Sequence, residues 1–394
     1  MSKYVFVHAE LISIGKFFDY KMLTPSAKRN ISRIIPFGLI WFVLGLVFVI
    51  VEMSALSGLE QRPSAAISAA IEMDLTIFIF GTLTNVILGL LIGTVEVLYL
   101  NHLLAKKSFT KKLLYKLLFY VLIMFMFIVI AYPIAASMEL NTNILDQRVW
   151  DRLFLFITSS THLSTDLQLT VQLGVSLFYA EISENIGHGI MINFFTGKYH
   201  SPTEEKRIFM FLDMKSSTSI AEKLGHIKYF ELLREYYFDL SDAVIKYSGE
   251  IYQYVGDEIV VSWKYKAGIK NNNCIKCFFA MKEDLNKRVD WYHENFGLAP
   301  TFKAGFHFGK VTTGEIGALK KEIIFTGDVL NSTARIQGLC NQFNVDILIS
   351  GDLKESLNLD SKYLIKSFGR KELRGKIVNI ELYTIVSNNE KVFS

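Results

Sequence analysis

Three apolar runs dominate what this chain can fold into. Ile34 to Met53, Leu75 to Leu98 and Leu113 to Ala135 are each close to the roughly 20 residues that a helix needs to cross a bilayer core. Charge is scarce inside them: Glu52 and Glu96 fall near ends, and Lys116 sits where it can snorkel. Backbone in lipid must satisfy its own hydrogen bonds, so each run is predicted as a transmembrane helix. A fourth, weaker run begins near Leu167 and passes Val171, Leu173, Val175, Leu177 and Phe178 towards Ile190. Leu153 to Ile157 is too short to span and reads as a re-entrant or interfacial piece. The 51% hydrophobic residues coexist with 20% charged ones because the two are segregated along the chain. Long apolar runs precede Lys198 and most charge follows it. The expected organisation is a cytoplasmic tail over 1–33, an all-α bundle of about four transmembrane helices over 34–195, a linker over 196–206 and a second domain over 207–394.

Basic residues set the expected orientation. Arg29 and Arg33 precede the first run, Lys106, Lys107, Lys111 and Lys112 fill the loop after the second, and Lys198, Lys206 and Arg207 follow the fourth. The alternate loops are poorer: 54–74 holds only Arg62, and 136–152 sets Arg148 and Arg152 beside acids. Four crossings place both termini in the cytoplasm, with the chain held in the plasma membrane. The mixed charges of Met1 to Arg33 do not form a signal peptide. A net charge of +4 is too small to point to nucleic acid. Cys274, Cys277 and Cys340 are odd in number, and the C-I-K-C pair lacks a second ligand pair, so all three read as buried structural thiols. Glu181, Glu184 and His188 share a helix face by spacing. They form either an ion-binding or sensing face within the membrane, or a solvated or pairing face beyond it.

After Tyr199-His200-Ser201-Pro202 the pattern changes. Arg207 to Leu212 reads as a strand ending in Asp213, and Ser219 to Tyr247 as a helix. The β-rich runs flanking Gly256-Asp257-Glu258 form a hairpin. A helix over Asn273–Tyr292, a strand over Phe302–Phe308 and a Gly-rich segment over 309–317 follow. Then come a short strand at Ile323–Phe325, a helix from Gly327 to Cys340, and strands near 346–350, 365–368 and 380–385. The order β-α-β-β-α-β with later additions predicts a ferredoxin-like α+β sandwich. Asp213 and Asp257 lie 44 residues apart (257 − 213) at a strand end and a hairpin tip, where adjacent strands bring carboxylates together. Two carboxylates at one spot repel unless a cation sits between them, and Mg²⁺ takes one or two carboxylates plus substrate phosphates. Met214-Lys215-Ser216-Ser217-Thr218 turns from strand to helix, so its N–H groups and hydroxyls, those of Ser217 and Thr218 included, can hold phosphates. Arg335 lies one helical turn beyond Asn331 and faces the same way.

In this order the motifs resemble those of class III nucleotidyl cyclases, the adenylate and guanylate cyclase family, over roughly Lys206 to Ser387. I-F-M-F-L-D-M-K-S-S-T and Y-V-G-D-E-I resemble the two metal motifs, at Asp213 (with Met214 beside it) and Asp257. F-K-A-G-F-H-F-G-K-V-T-T-G-E-I-G resembles the central strand and turn. G-D-V-L-N-S-T-A-R-I resembles the helix carrying the ribose-orienting Asn331 and the transition-state Arg335, and L-R-G-K the loop of a phosphate-binding Arg374. The resemblance implies a membrane adenylate cyclase that turns ATP into 3′,5′-cyclic AMP and pyrophosphate. It also implies two Mg²⁺ or Mn²⁺ ions per site, and a homodimer in which one subunit supplies the aspartates and the other Asn331 and Arg335.

Two positions depart from the family pattern. Gln253 stands where adenylate cyclases usually have a Lys that reads adenine, and Ile324 where they have Asp or Thr. Guanylate cyclases place Glu and a small polar or Cys residue there, and this chain has neither. The missing acidic guanine reader favours ATP, with GTP the alternative. Diguanylate cyclases carry a similar G-G-D-E-F hairpin, but Val255, Ile259 and the Asn331/Arg335 helix fit that family poorly. A non-catalytic receptor with a cyclase-like dimerisation module would be expected to lose a metal Asp or Arg335, and none is lost.

Overall fold

The computed structural model describes residues 23–57, 71, 72, 74–104, 107–319, 321–359, 362–373 and 379–387. They divide into two compact units, residues 27–192 and the unit from Asn193 onward.

The first unit is helical. It comprises α1 (Pro25–Ser57), α2 (Leu75–Val95), α3 (Phe109–Glu139), α4 (Gln147–Ile157) and α5 (Ser160–Ile186), and α6 (His188–Phe195) leads out of it. A π turn at Glu96–Leu100 carries α2 on to Leu104. Among the described residues three helices are long and apolar enough to cross a membrane: Pro25–Glu52, Leu75–Leu100 and Thr110–Glu139. They cover the three expected runs. Helix α5 occupies the place of the weaker fourth run but is not apolar enough, because Asp166, Gln168, Gln172, Glu181 and Glu184 dilute it. Its buried face is mixed and its outer face apolar. Gln172 and Ser176 are buried in the bundle beside Leu169, Leu173 and Leu177, whereas Leu163, Leu167, Val171, Val175 and Phe178 are exposed.

Small residues let these helices approach. A Cβ on Gly89 would lie 2.5 Å from Trp41 Cγ, and one on Gly93 would lie 2.8 Å from Phe37 Cγ. The two glycines, four apart on α2, thus form the notch that receives two aromatic rings of α1. Trp41 Nε1 donates to Ser176 Oγ at 2.9 Å, tying α1 to α5. Glu96 is fully buried and pairs with Lys116 of α3. Tyr120 OH donates to Glu96 Oε2 at 2.7 Å, and Lys116 Nζ to Asn101 Oδ1 at 3.1 Å. Charge inside such a bundle persists only when paired in this way. Lys112 of α3 lies 3.4 Å from Glu181 and 3.2 Å from Glu184 of α5, so those two acids pair within the chain. The expected single face with His188 does not form. Helix α5 stops at Ile186, Gly187 has φ +92°, and His188 opens the next helix.

The second unit contains β1 (Thr203–Met214), α7 (Ser217–Leu224), α8 (His226–Lys246), β2 (Glu250–Val255), β3 (Glu258–Lys264), α9 (Asn273–Asn286) and α10 (Val289–Phe296). There follow β4 (Phe302–Ile316), β5 (Glu322–Thr326), α11 (Asp328–Gly338), β6 (Ile347–Ser350), α12 (Gly351–Ser356), β7 (Tyr363–Lys371) and β8 (Ile380–Ser387). The strands form one sheet in the order β2-β3-β1-β4-β6-β8-β7, with β5 paired to β4. β4 and β6 run parallel, and the other pairs are antiparallel. The β2-β3-β1-β4 half, with α8 and α9, is the expected ferredoxin-like core.

Strand β1 organises both faces. Ile208, Met210, Leu212 and Met214 pack on Leu232, Tyr236 and Leu240 of α8 and on Cys277 and Phe278 of α9. Phe209 and Phe211 point the other way, onto Val260, Val311 and Val329. Three expectations change. The helix over Asn273–Tyr292 is divided, ending at Asn286 and restarting at Val289 as α10. The helix over Ser219–Tyr247 is broken at Gly225, whose φ of +73° ends α7. The strand expected over Phe302–Phe308 runs on through the Gly-rich segment to Ile316. A Cβ on Gly305 would lie 2.3 Å from Gln337 N and one on Gly309 3.2 Å from Val329 Cβ, so these glycines let α11 lie directly on the strand. The three cysteines are free and buried, and burial pushes the Cys274 and Cys340 thiols up to about 12.

Candidate active site

Asp213 lies at the end of β1, in register with Glu258 of β3 and Lys303 of β4. The β2–β3 turn is only Gly256-Asp257, with Gly256 at φ +62°, and it sets Asp257 beside Asp213. Tyr237 of α8 holds this turn, its hydroxyl donating to Gly256 O at 2.5 Å and its ring 4.6 Å from that of Tyr254. Burial, and then the Asp257 carboxyl, raise the pKa of Asp213. Burial with both aspartates pushes Glu258 up to about 7. Two groups offset this negative cluster: Lys303 Nζ lies 3.3 Å from Asp213 Oδ2, and Gln337 Nε2 donates to the same oxygen at 3.2 Å.

Asp257 Oδ2 is buried and accepts no hydrogen bond. A buried carboxylate oxygen without a partner is costly, and a cation beside it would remove that cost. Among the described residues no group of three or more His, Cys, Asp or Glu side chains surrounds one point. Two carboxylates with open coordination suit a hard divalent ion that keeps water and phosphate ligands. The Met214 side chain is buried in the core, away from the two carboxylates.

Ser216 is left-handed at φ +56°, and α7 begins at Ser217. The first N–H groups of that helix, Ser217 and Thr218 included, lie outside its hydrogen-bond ladder. They follow Asp213 by only a few residues. Helix α11 buries Val329, Ser332, Thr333, Ile336 and Gln337. Asn331 and Arg335 therefore lie off the face that meets β1 and β4; Asn331 is exposed and Arg335 half-buried. The ion pair and hydrogen bond at Asp213 come from Lys303 and Gln337, not from Arg335 or Asn331. Arg374 lies outside the described residues.

Gln253 is exposed on β2, and Ile324 is half-buried on β5. Along the sheet four strand steps, about 19 Å, separate β2 from β5. Yet the rings of Tyr252 and Phe325 are 4.7 Å apart, and Phe325 N–H donates to the Tyr252 hydroxyl at 3.2 Å. Phe325 also contacts Phe209 of β1, with ring centroids 5.5 Å apart. The β4–β5 hairpin must therefore curl over the sheet, which brings together the strands bearing Gln253 and Ile324.

Sequence reasoning missed Lys303, Gln337, Glu258 and the Tyr252–Phe325 contact. The signal for Lys303 was its antiparallel register with Asp213, and for Gln337 the stacking of α11 on β4. Neither has a local signature.

The unit thus sets two converging carboxylates on a ferredoxin-like sheet, with Asn331 and Arg335 on the outer side of α11. Residues 199–387 match the adenylate and guanylate cyclase catalytic domain family, and this unit belongs to it. The chain is 33% identical over 203 residues to adenylate cyclase 2 of Rhizobium meliloti (strain 1021), covering 52% of this chain and 56% of that protein. It is 26% identical over 183 residues to an adenylate cyclase of Anabaena cylindrica, covering 45% and 36%. The chain thus spans only about half or less of these relatives. A solved structure of the adenylyl cyclase CyaB from P. aeruginosa aligns at 20% identity and a TM-score of 0.42, over 48% of this chain and 96% of that one.

Proposed function

We propose that this chain is a membrane-bound adenylate cyclase that converts ATP to 3′,5′-cyclic AMP and pyrophosphate at sites shared between two subunits. The observation that carries the reading is the Asp213–Asp257 pair with its buried, unsatisfied carboxylate oxygen. Asp213, Asp257 and the Met214 carbonyl would hold two Mg²⁺ or Mn²⁺ ions. When bound, such ions supply positive charge to the ribose hydroxyl and to the phosphates. The N–H groups and hydroxyls at Ser217 and Thr218 receive the phosphates at the start of α7. The ribose 3′-oxygen attacks the α-phosphorus, a bond forms there, and the bond to the β-phosphate oxygen breaks. Asn331 orients the ribose, while Arg335 and Arg374 neutralise charge on the phosphoryl oxygens. Gln253 and Ile324 face the base. The outward setting of Asn331 and Arg335 supports their action on a partner's Asp213 rather than their own.

We count α5 as a fourth crossing. Its 27 residues span about 40 Å, more than a bilayer core needs, and Leu163, Leu167, Val171, Val175 and Phe178 on its outer side are exposed apolar side chains. Four crossings and the basic loops put the N-terminus and the catalytic domain in the cytoplasm, where ATP is available.

The test is a product assay on the full-length protein in lipid nanodiscs, with ATP and GTP, each with Mg²⁺ and with Mn²⁺. Cyclic AMP from ATP is the expected product. Predominant cyclic GMP would replace the substrate assignment, and no cyclic nucleotide under any condition would overturn the enzymatic reading.

A further inference from the structure

Alternate residues of β1 form a line on one face: Arg207, Phe209, Phe211 and Asp213. The last belongs to the carboxylate pair. The first is a guanidinium with only 1% of its surface exposed, and the reaction described above does not use it. Burying a charge so completely requires several partners, and Arg207 has them from four elements. Its Nη1 donates to Glu205 Oε2 at 2.9 Å, and its Nη2 donates to Ser262 Oγ of β3 at 3.0 Å and to the Glu250 carboxylate of β2. Its guanidinium carbon lies 4.6 Å from the ring centre of Phe325 on β5.

These contacts coincide with the place where the β4–β5 hairpin curls over the sheet. Phe325 is adjacent to Ile324, and its other neighbours are Tyr252, adjacent to Gln253, and Phe209. One planar cation thus touches both the strand of Gln253 and the strand of Ile324. A planar fork can hold two directions at once in a way that an ammonium cannot. We propose that Arg207 is a positioning residue for base selection: by clamping β2 through Glu250 and β5 through Phe325, it sets the spacing between Gln253 and Ile324. The Tyr252 hydroxyl is the second fastener of the same clamp. This inference rests on the cyclase reading and on those two residues facing the base.

The experiment compares full-length wild type, R207M, R207K and Y252F in nanodiscs, with kcat and KM measured for ATP and for GTP. In R207M the ATP-to-GTP ratio of kcat/KM moves towards unity by on the order of tenfold. Y252F, which removes one hydroxyl and leaves the ring, moves it in the same direction by less. R207K restores little, since it keeps the charge but not the fork. The Mg²⁺ concentration for half-maximal activity stays within about twofold of wild type in all of them, because Asp213 and Asp257 are untouched. A proportional loss towards both nucleotides, with an unchanged ratio in R207M and Y252F, overturns the inference and makes Arg207 a purely structural residue. A wild-type protein that converts neither nucleotide sinks the cyclase reading itself, which distinguishes the two failures.

Discussion

Replacing Gly305 with Ala tests whether the placement of α11 on β4 governs catalysis. Gly305 pairs with Phe211 of β1 and Leu348 of β6, so its backbone is fixed on both edges. An added Cβ would stand 2.3 Å from Gln337 N and 2.6 Å from Gln337 Cα. Ordinary carbon contacts are roughly 3.5 Å, so α11 must retreat by about 1 Å. Overpacking of this kind costs about 1–3 kcal/mol of stability. The same displacement moves Asn331 and Arg335 and pulls Gln337 away from Asp213. A misplacement of about 1 Å in a reacting constellation costs on the order of a hundredfold in rate. The assay is cyclic AMP formation by full-length G305A, with thermal unfolding followed in parallel. The control is G338A, on the same helix, where an added Cβ meets nothing within 4 Å. It gains up to about 1 kcal/mol of helix propensity and retains activity within about twofold. Wild-type kcat in G305A, or an equal loss in G338A, would refute the reasoning.

Three further outcomes follow from the same structure. Heterodimers of D213A and R335A subunits, isolated by two tags, should recover about half of wild-type activity because one of two composite sites is intact, while each homodimer stays inactive. A silent heterodimer would rule out sites shared between subunits. In the helical unit, E96L strands the buried Lys116 and should cost about 3–5 kcal/mol, whereas E96L/K116M should cost clearly less. Equal losses in thermal unfolding would show that the pair is not coupled. Asp346 is half-buried, which alone would raise its pKa, but Lys215 and Lys282 (the latter at 2.9 Å) outweigh burial and hold it below the usual carboxylate value. Its stabilisation is therefore present at neutral pH and is lost as pH falls through the depressed value. D346N should lose about 1 kcal/mol at pH 7, discounted for solvent screening, and should flatten the acid limb of the denaturation midpoint as pH falls below the ordinary aspartate value of 3.8. An unchanged acid limb would contradict this.

The residues that sequence reasoning found share one property: their signals are local. Asp213 ends a run of β-forming residues, and Asp257 sits in a glycine turn between two such runs, so a few neighbours suffice to place each at a strand end. The three helices long and apolar enough to cross a membrane are legible for the same reason. Helix α5 is harder to read, because Gln172 and Ser176 are polar where the helix meets other helices and Leu167 and Val171 apolar where it does not. An average over the helix cannot tell that arrangement from a weak span. The Gln337 contact to Asp213 depends on a crossing that no periodicity encodes.

The glycines of β4 explain why that crossing stays hidden. Read along the chain, the strand stops near Phe308, and Gly309 and Gly314 belong to a Gly-rich segment that follows it. Read across the sheet, Gly305 and Gly309 are the points where α11 presses onto the strand through Gln337 and Val329. A side chain there would lift the helix and part Gln337 from Asp213. Farther along the same strand, Gly314 pairs with Ile324, where β4 carries the hairpin back over β1 and β2. One glycine-spaced strand therefore does two jobs. It seats the helix of Asn331 and Arg335, and it delivers Ile324 to the neighbourhood of Gln253. Substitutions at Gly305 should accordingly act through kcat, by moving α11. Substitutions in the Arg207–Tyr252–Phe325 clamp should act through the choice of nucleotide.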